Sequence, residues 1–388
     1  MLLQLQPPVH LTYCLNVHPG ESWGEQFRAV REDAVRVRQA VAPGRPFALG
    51  LRLGCDAATE LSRDDRVADF GEWLAANGMY VATVNGFPFG RFHGTGVKEG
   101  VYAPDWRREE RRDYTIQLAR ILAALLPEGA GASISTVPGS FRDWIESASD
   151  EDAMAARLVE CAAELARLER EHGRCIRLAL EPEPGCFLER VGDVIRFFNE
   201  RLFRAGPEAI LRRHIGICLD TCHAAVMFES PERVLRQLGA EGIGVFKVQL
   251  SAALAARNSA TTRGALAVFA EPTYLHQTAA QAGAFWSDLP QALAELERRP
   301  EGEEVRVHFH VPLFWEGDGA LGSTASKLTP AFFEMLRGGV APVLEIETYT
   351  FHVLPPACRA EDLVGSLVRE FEWVIAKGGW GSADMRGG

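Results

Sequence analysis

Short, β-rich apolar runs and longer amphipathic stretches alternate from one end of the chain to the other. The apolar runs fall at 10–17, 47–53, 79–84, 132–137, 175–181, 215–220, 244–250, 305–311 and 342–347. Between them the spacing turns helical: Glu21 to Ala40 repeats apolar residues at Phe27, Val30, Ala34 and Val37. Residues 150–172 open on Asp150, Glu151 and Asp152 and close on His172-Gly173, a helix with a glycine stop. Ser230-Pro231 and Thr329-Pro330 each set a capping residue before a proline at the first helical position. Such alternation builds βαβ units and a parallel sheet. Several runs are apolar throughout, as strands buried on both faces must be. A doubly wound sheet and a closed (β/α)₈ barrel both satisfy the pattern. No GxGxxG follows the first run and no P-loop occurs, so the doubly wound alternative lacks its usual nucleotide-binding signal. The expected fold is therefore α/β, a single TIM barrel over 1–388. There is one run too many for the barrel, and Gln249 to Glu347 far exceeds one βα unit. We read 251–330 as a long excursion between the last two strands, carrying run 305–311.

Composition excludes several classes. Hydrophobic residues make up 47% and charged residues 24%, which suits a folded globular chain. Lys and Arg number 41 against 52 Asp and Glu, a net charge of −11. A phosphate-tracking groove needs the opposite balance, so no nucleic-acid partner is expected. The eight cysteines are scattered without a CxxC, as reduced thiols are in an intracellular chain. The opening MLLQLQPPVH has no basic region and no long apolar run, so it does not read as a signal peptide. No stretch approaches ~18 uninterrupted apolar residues, so no membrane span is expected. The expectation is a soluble cytoplasmic protein whose partner is a small-molecule metabolite.

The chemistry-bearing residues gather at the ends of the apolar runs. One ends at Glu181, the next at Asp220, the next carries Lys247 and Gln249, and the last carries Glu345 and Glu347. In a barrel, carboxyl-terminal strand ends meet over one mouth. A lone strand-end carboxylate is usually a cap or a surface group. Polar ligands on four successive strands point instead to one shared divalent ion, Zn, Mn or Mg. His308 and His310 form an H-x-H pair that one strand face can turn to one ion, and His223 follows Asp220 as D-x-x-H. Around the mouth, Asn16, His18, Asn85, Phe87, His93, Trp106, Glu183 and His276 are candidate substrate contacts. For Phe87, Phe89, Phe92, Tyr102 and Trp106 an aromatic substrate wall or lid and simple loop packing weigh equally. His18-Pro19-Gly20 also reads as a loop former before a Ser22-capped helix. WRREERRDY at 106–114 reads as a solvated helix face with i,i+4 pairs. Cys218 and Cys222 read as core residues.

GICLDTCH at 216–223 resembles the D-T-C-H signature of the endonuclease IV and xylose isomerase-like TIM-barrel superfamily. Glu181, the QLS at 249–251, the H-x-H at 308–310 and Glu347 fall in the order of that superfamily's ligands. The resemblance implies a main metal held by Glu181, Asp220, Gln249 and Glu347, with His223, His308 and His310 matching the group that takes a further zinc in the endonuclease. Gln249 stands where the superfamily usually has His, and Val137 where the endonuclease has a metal-binding His. The sugar isomerase and epimerase branch therefore fits better. TYCLNVHPGESW (12–23), VNGFPFGRFH (84–93), VYAPDW (101–106), LEPEPG (180–185), EPTYLHQ (271–277) and LEIETY (344–349) are similar to the EboE family, described as metabolite traffic proteins with a xylose isomerase-like barrel. That resemblance associates the chain with natural-product precursors and supplies no substrate.

Three functions follow as expectations. The first is a metal-dependent isomerase or epimerase of a hydroxy-carbonyl metabolite. There Glu181 and Glu347 act as the acid/base pair, His223 bonds a substrate oxygen, and Lys247 steadies developing negative charge. The second is a two-metal phosphoester hydrolase, needing the three histidines as a second ion position. The third is a binding or trafficking protein without turnover, motivated by Gln249. The excursion at 251–330 is expected to close the mouth, to recruit a second copy as a homo-oligomer, or both.

Overall fold

Eight of the nine apolar runs lie side by side in parallel. They form β1 (Val9–Tyr13), β2 (Phe47–Arg52), β3 (Met79–Asn85), β4 (Gly131–Thr136), β5 (Cys175–Leu180), β6 (Ile215–Asp220) and β7 (Val245–Leu250), closed by the last strand, Val343–Ile346. The computed structural model describes residues 1–93, 96–356, 359 and 362–381. The neighbour order runs β2 through β7, then the last strand, then β1, and a two-residue antiparallel strand, Leu2–Leu3, flanks β1. β1 and β2 meet at a Cys14–Gly50 bridge, and the Thr12 hydroxyl donates to the Ala48 carbonyl at 2.8 Å, so the sheet nearly closes on itself. The helices cover its outer surface with apolar side chains. Leu158, Cys161 and Leu165 of helix Ala148–His172, for example, are fully buried.

Between β7 and the last strand the chain builds a separate antiparallel sheet. Its strands are β8 (Ala253–Arg257), β9 (Thr278–Ala280), β10 (Phe285–Trp286), β11 (Glu304–His310) and β12 (Leu321–Ser323), in the order β10-β9-β11-β8-β12. The last barrel strand is therefore β13. The β11–β8 register shifts between Val307 and His310. Such an irregularity bends a strand and re-aims its side chains, and here it falls on the H-x-H.

The expected helix boundaries hold closely. Ser22 caps Trp23–Ala29 with Glu25 completing a capping box, and Gly173, at φ 65°, ends Ala148–His172 in the left-handed region that favours glycine. Ser230 accepts from the Arg233 amide and Thr329 from the Phe332 amide. Two readings change. Run 10–17 is a strand only to Tyr13; Leu15–Val17 forms a tight 3-10 turn that leaves the barrel rim. The charge run at 106–114 is not a uniformly solvated face. Arg111 is fully buried and donates to the carbonyls of Pro104 (2.7 Å), Gly86 (2.8 Å) and Phe87 (2.9 Å). A guanidinium with five donors can satisfy several loop carbonyls at once, and here it pins the loop after β3. The seven described cysteines are free thiols; Cys358 lies outside the described residues.

Candidate active site and metal centre

Strand alternation sets the barrel interior in layers. Asp220 lies in register with Gln249, and Gln249 with Glu345. One step lower on the same inward face, Cys218 lies beside Lys247. Glu181 and Glu347 follow directly on β5 and β13. Glu181, Asp220, Gln249 and Glu347 thus come to the strand ends, and Lys247 lies one inward step below Gln249, paired with Glu345.

One oxygen each of Glu181, Asp220 and Glu347 lies within 4.8 Å of the other two. All three residues are buried. Asp220 Oδ1 is fully used, accepting from the Cys222 amide (2.7 Å), the His223 amide (3.0 Å) and the Ser251 hydroxyl (2.7 Å). Asp220 Oδ2 and Glu181 Oε2 are buried with no hydrogen-bond partner. Glu347 Oε1 accepts from Asn16 Nδ2 at 3.2 Å, and its Oε2 accepts from Gln249 Nε2. Burial, together with the neighbouring carboxylates, holds the Glu181 and Glu347 carboxyls well above the usual carboxylate range. Burial pushes Asp220 up too, but the His223 and His310 rings and its donors outweigh this and leave it lowered. Crowding three carboxyls without a cation is costly in a buried site, and a divalent ion removes that cost.

The histidines sit against this group. His223 Nδ1 donates to the Pro182 carbonyl (3.0 Å), His308 Nδ1 to Gln277 Oε1 (2.7 Å) and His310 Nδ1 to the Glu347 carbonyl (2.9 Å). Carbonyl oxygens only accept, so each ring carries its proton on Nδ1 and turns the Nε2 lone pair inward. His223 Nε2 and His308 Nε2 face each other at 3.0 Å, and His310 Nε2 is buried without a partner. Two lone pairs at that distance repel unless a proton or cation lies between them. Burial, then the neighbouring rings, lowers the His308 pKa well below the usual value, and His310 is lowered to about 4, burial again first. Ligand atoms of Asp220, His223 and His310 cluster within 4.8 Å, as do those of Glu183, His223 and His308.

The structure brings together Glu181, Asp220, Glu347, His223, His308 and His310. It turns the other expected ligand, Gln249, away: its Oε1 accepts from the Cys218 thiol at 2.8 Å while its amide donates to Glu347. Lys247 does not reach the cleft. It is fully buried in the lower layer, 2.5 Å from Glu345 Oε2, and donates to Ser135 Oγ at 3.2 Å. Burial alone would lower its pKa, but the Glu345 charge and buried neighbours hold it above the ordinary value. Gly50 makes room for this pair, since a Cβ there would lie 1.8 Å from Glu345 Oε1.

Above the ligands opens a cleft of about 550 Å³, counting the part open to solvent. Asn16, Asn85, Phe87 and Glu183 line it. His18, His93, Trp106 and His276 do not. His18 accepts or donates between Tyr13 and Asp33, at 2.9 and 3.3 Å. His93 lies against Glu21, which accepts its amide at 3.1 Å. Trp106 is buried and donates to Thr136 Oγ1 at 3.2 Å. His276 has both nitrogens against oxygens, the His308 carbonyl and Glu271 Oε1, each at 3.0 Å, and so braces β11 from behind.

Phe92 of the expected aromatic wall, Tyr274 of the excursion and Tyr349, to which the sequence assigns no role, form a roof. Their ring centroids lie 5.1–5.4 Å apart, and Tyr349 sits 4.7 Å from His310. The aromatic after each strand-end or loop motif was the available signal. The roof is tied down across two loops: the Val97 amide donates to the Thr273 carbonyl at 2.8 Å, and Lys98 pairs with Asp288 at 2.5 Å.

Residues 47–263, more than half of the chain, match the xylose isomerase-like TIM barrel family. No curated protein matches. Similar solved structures include the probable 3-DHS dehydratase AsbF, involved in petrobactin synthesis, from Bacillus anthracis. It is 13% identical, with 94% of this chain and 98% of that one covered, at a TM-score of 0.51. A xylose isomerase-like TIM barrel protein from Mycobacterium smegmatis in complex with magnesium is 10% identical, with 97% of each chain covered, also at 0.51. At such identities the likeness speaks to the fold.

Proposed function

Because the chain belongs to the xylose isomerase-like TIM barrel family, we propose that it is a metal-dependent isomerase or epimerase of a hydroxy-carbonyl metabolite. The observation that carries this reading is the carboxylate group of Glu181, Asp220 and Glu347, with Glu181 Oε2 and Asp220 Oδ2 buried and unpartnered. Hard oxygen donors beside imidazole nitrogens suit Zn, Mn or Mg. Asp220, Glu347 and Glu181 would hold the ion, with His310 beside them. Bound there, a divalent ion supplies Lewis acidity, which acidifies the C–H between a carbonyl and its neighbouring hydroxyl.

The chain's own groups do the rest. Glu181 carries the proton: the carboxylate oxygen that it does not give to the ion takes a proton from one carbon and returns it. Glu347 stands opposite, held by Asn16 and Gln249, and serves as the fixed partner of that exchange. The unpartnered Asn16 Oδ1 accepts a substrate hydroxyl. Gln249 positions Glu347 and Lys247 anchors Glu345 below, so neither touches substrate. The segment 251–330 belongs to the same domain, and the six motif segments support placement in the EboE family, associated with natural-product precursors.

A two-metal phosphoester hydrolase is the second reading, favoured by the facing Nε2 atoms of His223 and His308. Metal content separates the two. Protein purified without added metal, or reconstituted with one, should carry about one equivalent, lost in Glu181→Gln/Asp220→Asn. Two equivalents, one of them lost in His308→Ala, favour the hydrolase. No metal after incubation with Mg²⁺, Mn²⁺ and Zn²⁺ sinks both.

A further inference from the structure

We propose that the substrate of this site carries an apolar, ring-sized body next to its oxygen-bearing end, so that the cleft selects an aryl or alicyclic hydroxy ketone over a free sugar. This inference rests on the metal-assisted hydroxy-carbonyl reading and narrows its substrate.

The cleft combines ligating groups of Glu181, Glu183, His223, His308, His310 and Glu347 with apolar surface from Phe87, Val101, Tyr102, Leu275 and the roof rings. Phe87 and Tyr102 meet edge to face at 5.9 Å, and the Tyr102 ring stacks on Phe141 at 5.2 Å, which leaves a rigid slot beside them.

A sugar presents a hydroxyl on nearly every carbon, and each one buried needs a partner. Asn85, Tyr102 and Lys98 along these walls are already engaged, which leaves the Tyr274 and Tyr349 hydroxyls at the roof. Asn85 accepts from the Phe87 amide (3.1 Å) and donates to Cys14 Sγ (3.5 Å). The Tyr102 hydroxyl donates to Glu183 at 2.7 Å and accepts from Gln277 at 2.9 Å. Lys98 is paired with Asp288. Asn16 Oδ1 is unpartnered, but it belongs to the ligand end. A body without hydroxyls loses nothing against such walls and gains by covering them.

Calorimetric titration of Mn²⁺-loaded protein with 2-hydroxyacetophenone, dihydroxyacetone and D-fructose tests this, with the metal-free protein as control. The phenyl ketone should bind at least about tenfold more tightly than either of the others, and only when metal is present. Phe87→Ala should shrink that ratio severalfold while leaving dihydroxyacetone unchanged; if the variant does not fold, the ratio on the unaltered protein still decides. Equal or tighter binding of fructose or dihydroxyacetone, still metal-dependent, overturns the apolar-body inference and spares the reading beneath it. If no hydroxy ketone binds in a metal-dependent way, both fall.

Discussion

At the residue scale, one strand can carry two roles that look alike in sequence. Lys247 and Gln249 alternate with apolar neighbours on β7 and face the same way. Yet Gln249 touches the Glu347 carboxylate, and Lys247 ends in a fully buried ion pair below it. The difference arises because Glu345 comes from β13, whose side chain reaches down past Gly50. No spacing along the chain encodes that pairing. Removing one partner of a buried pair strands the other charge, which costs about 3–5 kcal/mol, whereas removing both is much milder. Lys247→Met should therefore lose about that much stability in urea unfolding, and Lys247→Met/Glu345→Leu should recover most of it. Metal content of the double variant should match the parent. A double variant as unstable as the single, or one without metal, contradicts the structural role assigned to Lys247.

At the element scale, the C-terminal helix Leu363–Gly378 holds the site's two halves together. Its Glu370 is buried and accepts from the Thr348 hydroxyl at 2.6 Å and from the Leu313 amide at 3.1 Å. Thr348 follows Glu347 on the barrel, and Leu313 follows the H-x-H of β11. Burial outweighs the two donors and raises the Glu370 pKa from 4.5 to about 7. The folded chain therefore holds this proton more tightly than the unfolded one. The stabilisation it brings is complete below about pH 4.5 and is lost as pH rises through about 7, roughly 3 kcal/mol in all. Glu370→Gln should flatten that part of the stability profile between pH 4.5 and 8 in denaturant unfolding. Parallel profiles for the two proteins would refute the assignment. Helices and strands themselves were largely legible. All but the first of the apolar runs locate the barrel strands within a residue or two, and the caps at Ser22, Ser230 and Thr329 mark helix starts, because both signals are local. What stayed hidden is long-range: Arg111 inside a charge run, the turn at Leu15–Val17 that brings Asn16 to Glu347, and His276 braced behind β11. Each depends on a partner supplied by a distant element.

At the scale of the whole molecule, the candidate centre is assembled from two sheets. Glu181, Asp220, His223 and Glu347 belong to the barrel, while His308 and His310 come from the antiparallel sheet built by the excursion. The same excursion supplies Tyr274 and Leu275 to the cleft. The net charge of −11 favours cation accumulation around the chain. An ion held only by the folded arrangement stabilises the folded chain by mass action, roughly 2.7 kcal/mol at a hundredfold excess over its Kd. With an unfolding entropy of roughly 2 cal/mol/K per residue over 388 residues, that corresponds to a rise in Tm of roughly 3 °C. Zn²⁺ should produce such a shift in the unaltered protein, reversed by a chelator. Because the histidines bridge the two sheets, His308→Ala/His310→Ala should cut the zinc-dependent shift by at least half while leaving the metal-free Tm within a few degrees of the parent. An undiminished shift would mean that the carboxylates alone hold the ion and that the second sheet only covers it. A shift abolished together with a collapsed metal-free Tm would mean that the histidines serve the packing of the excursion more than the metal.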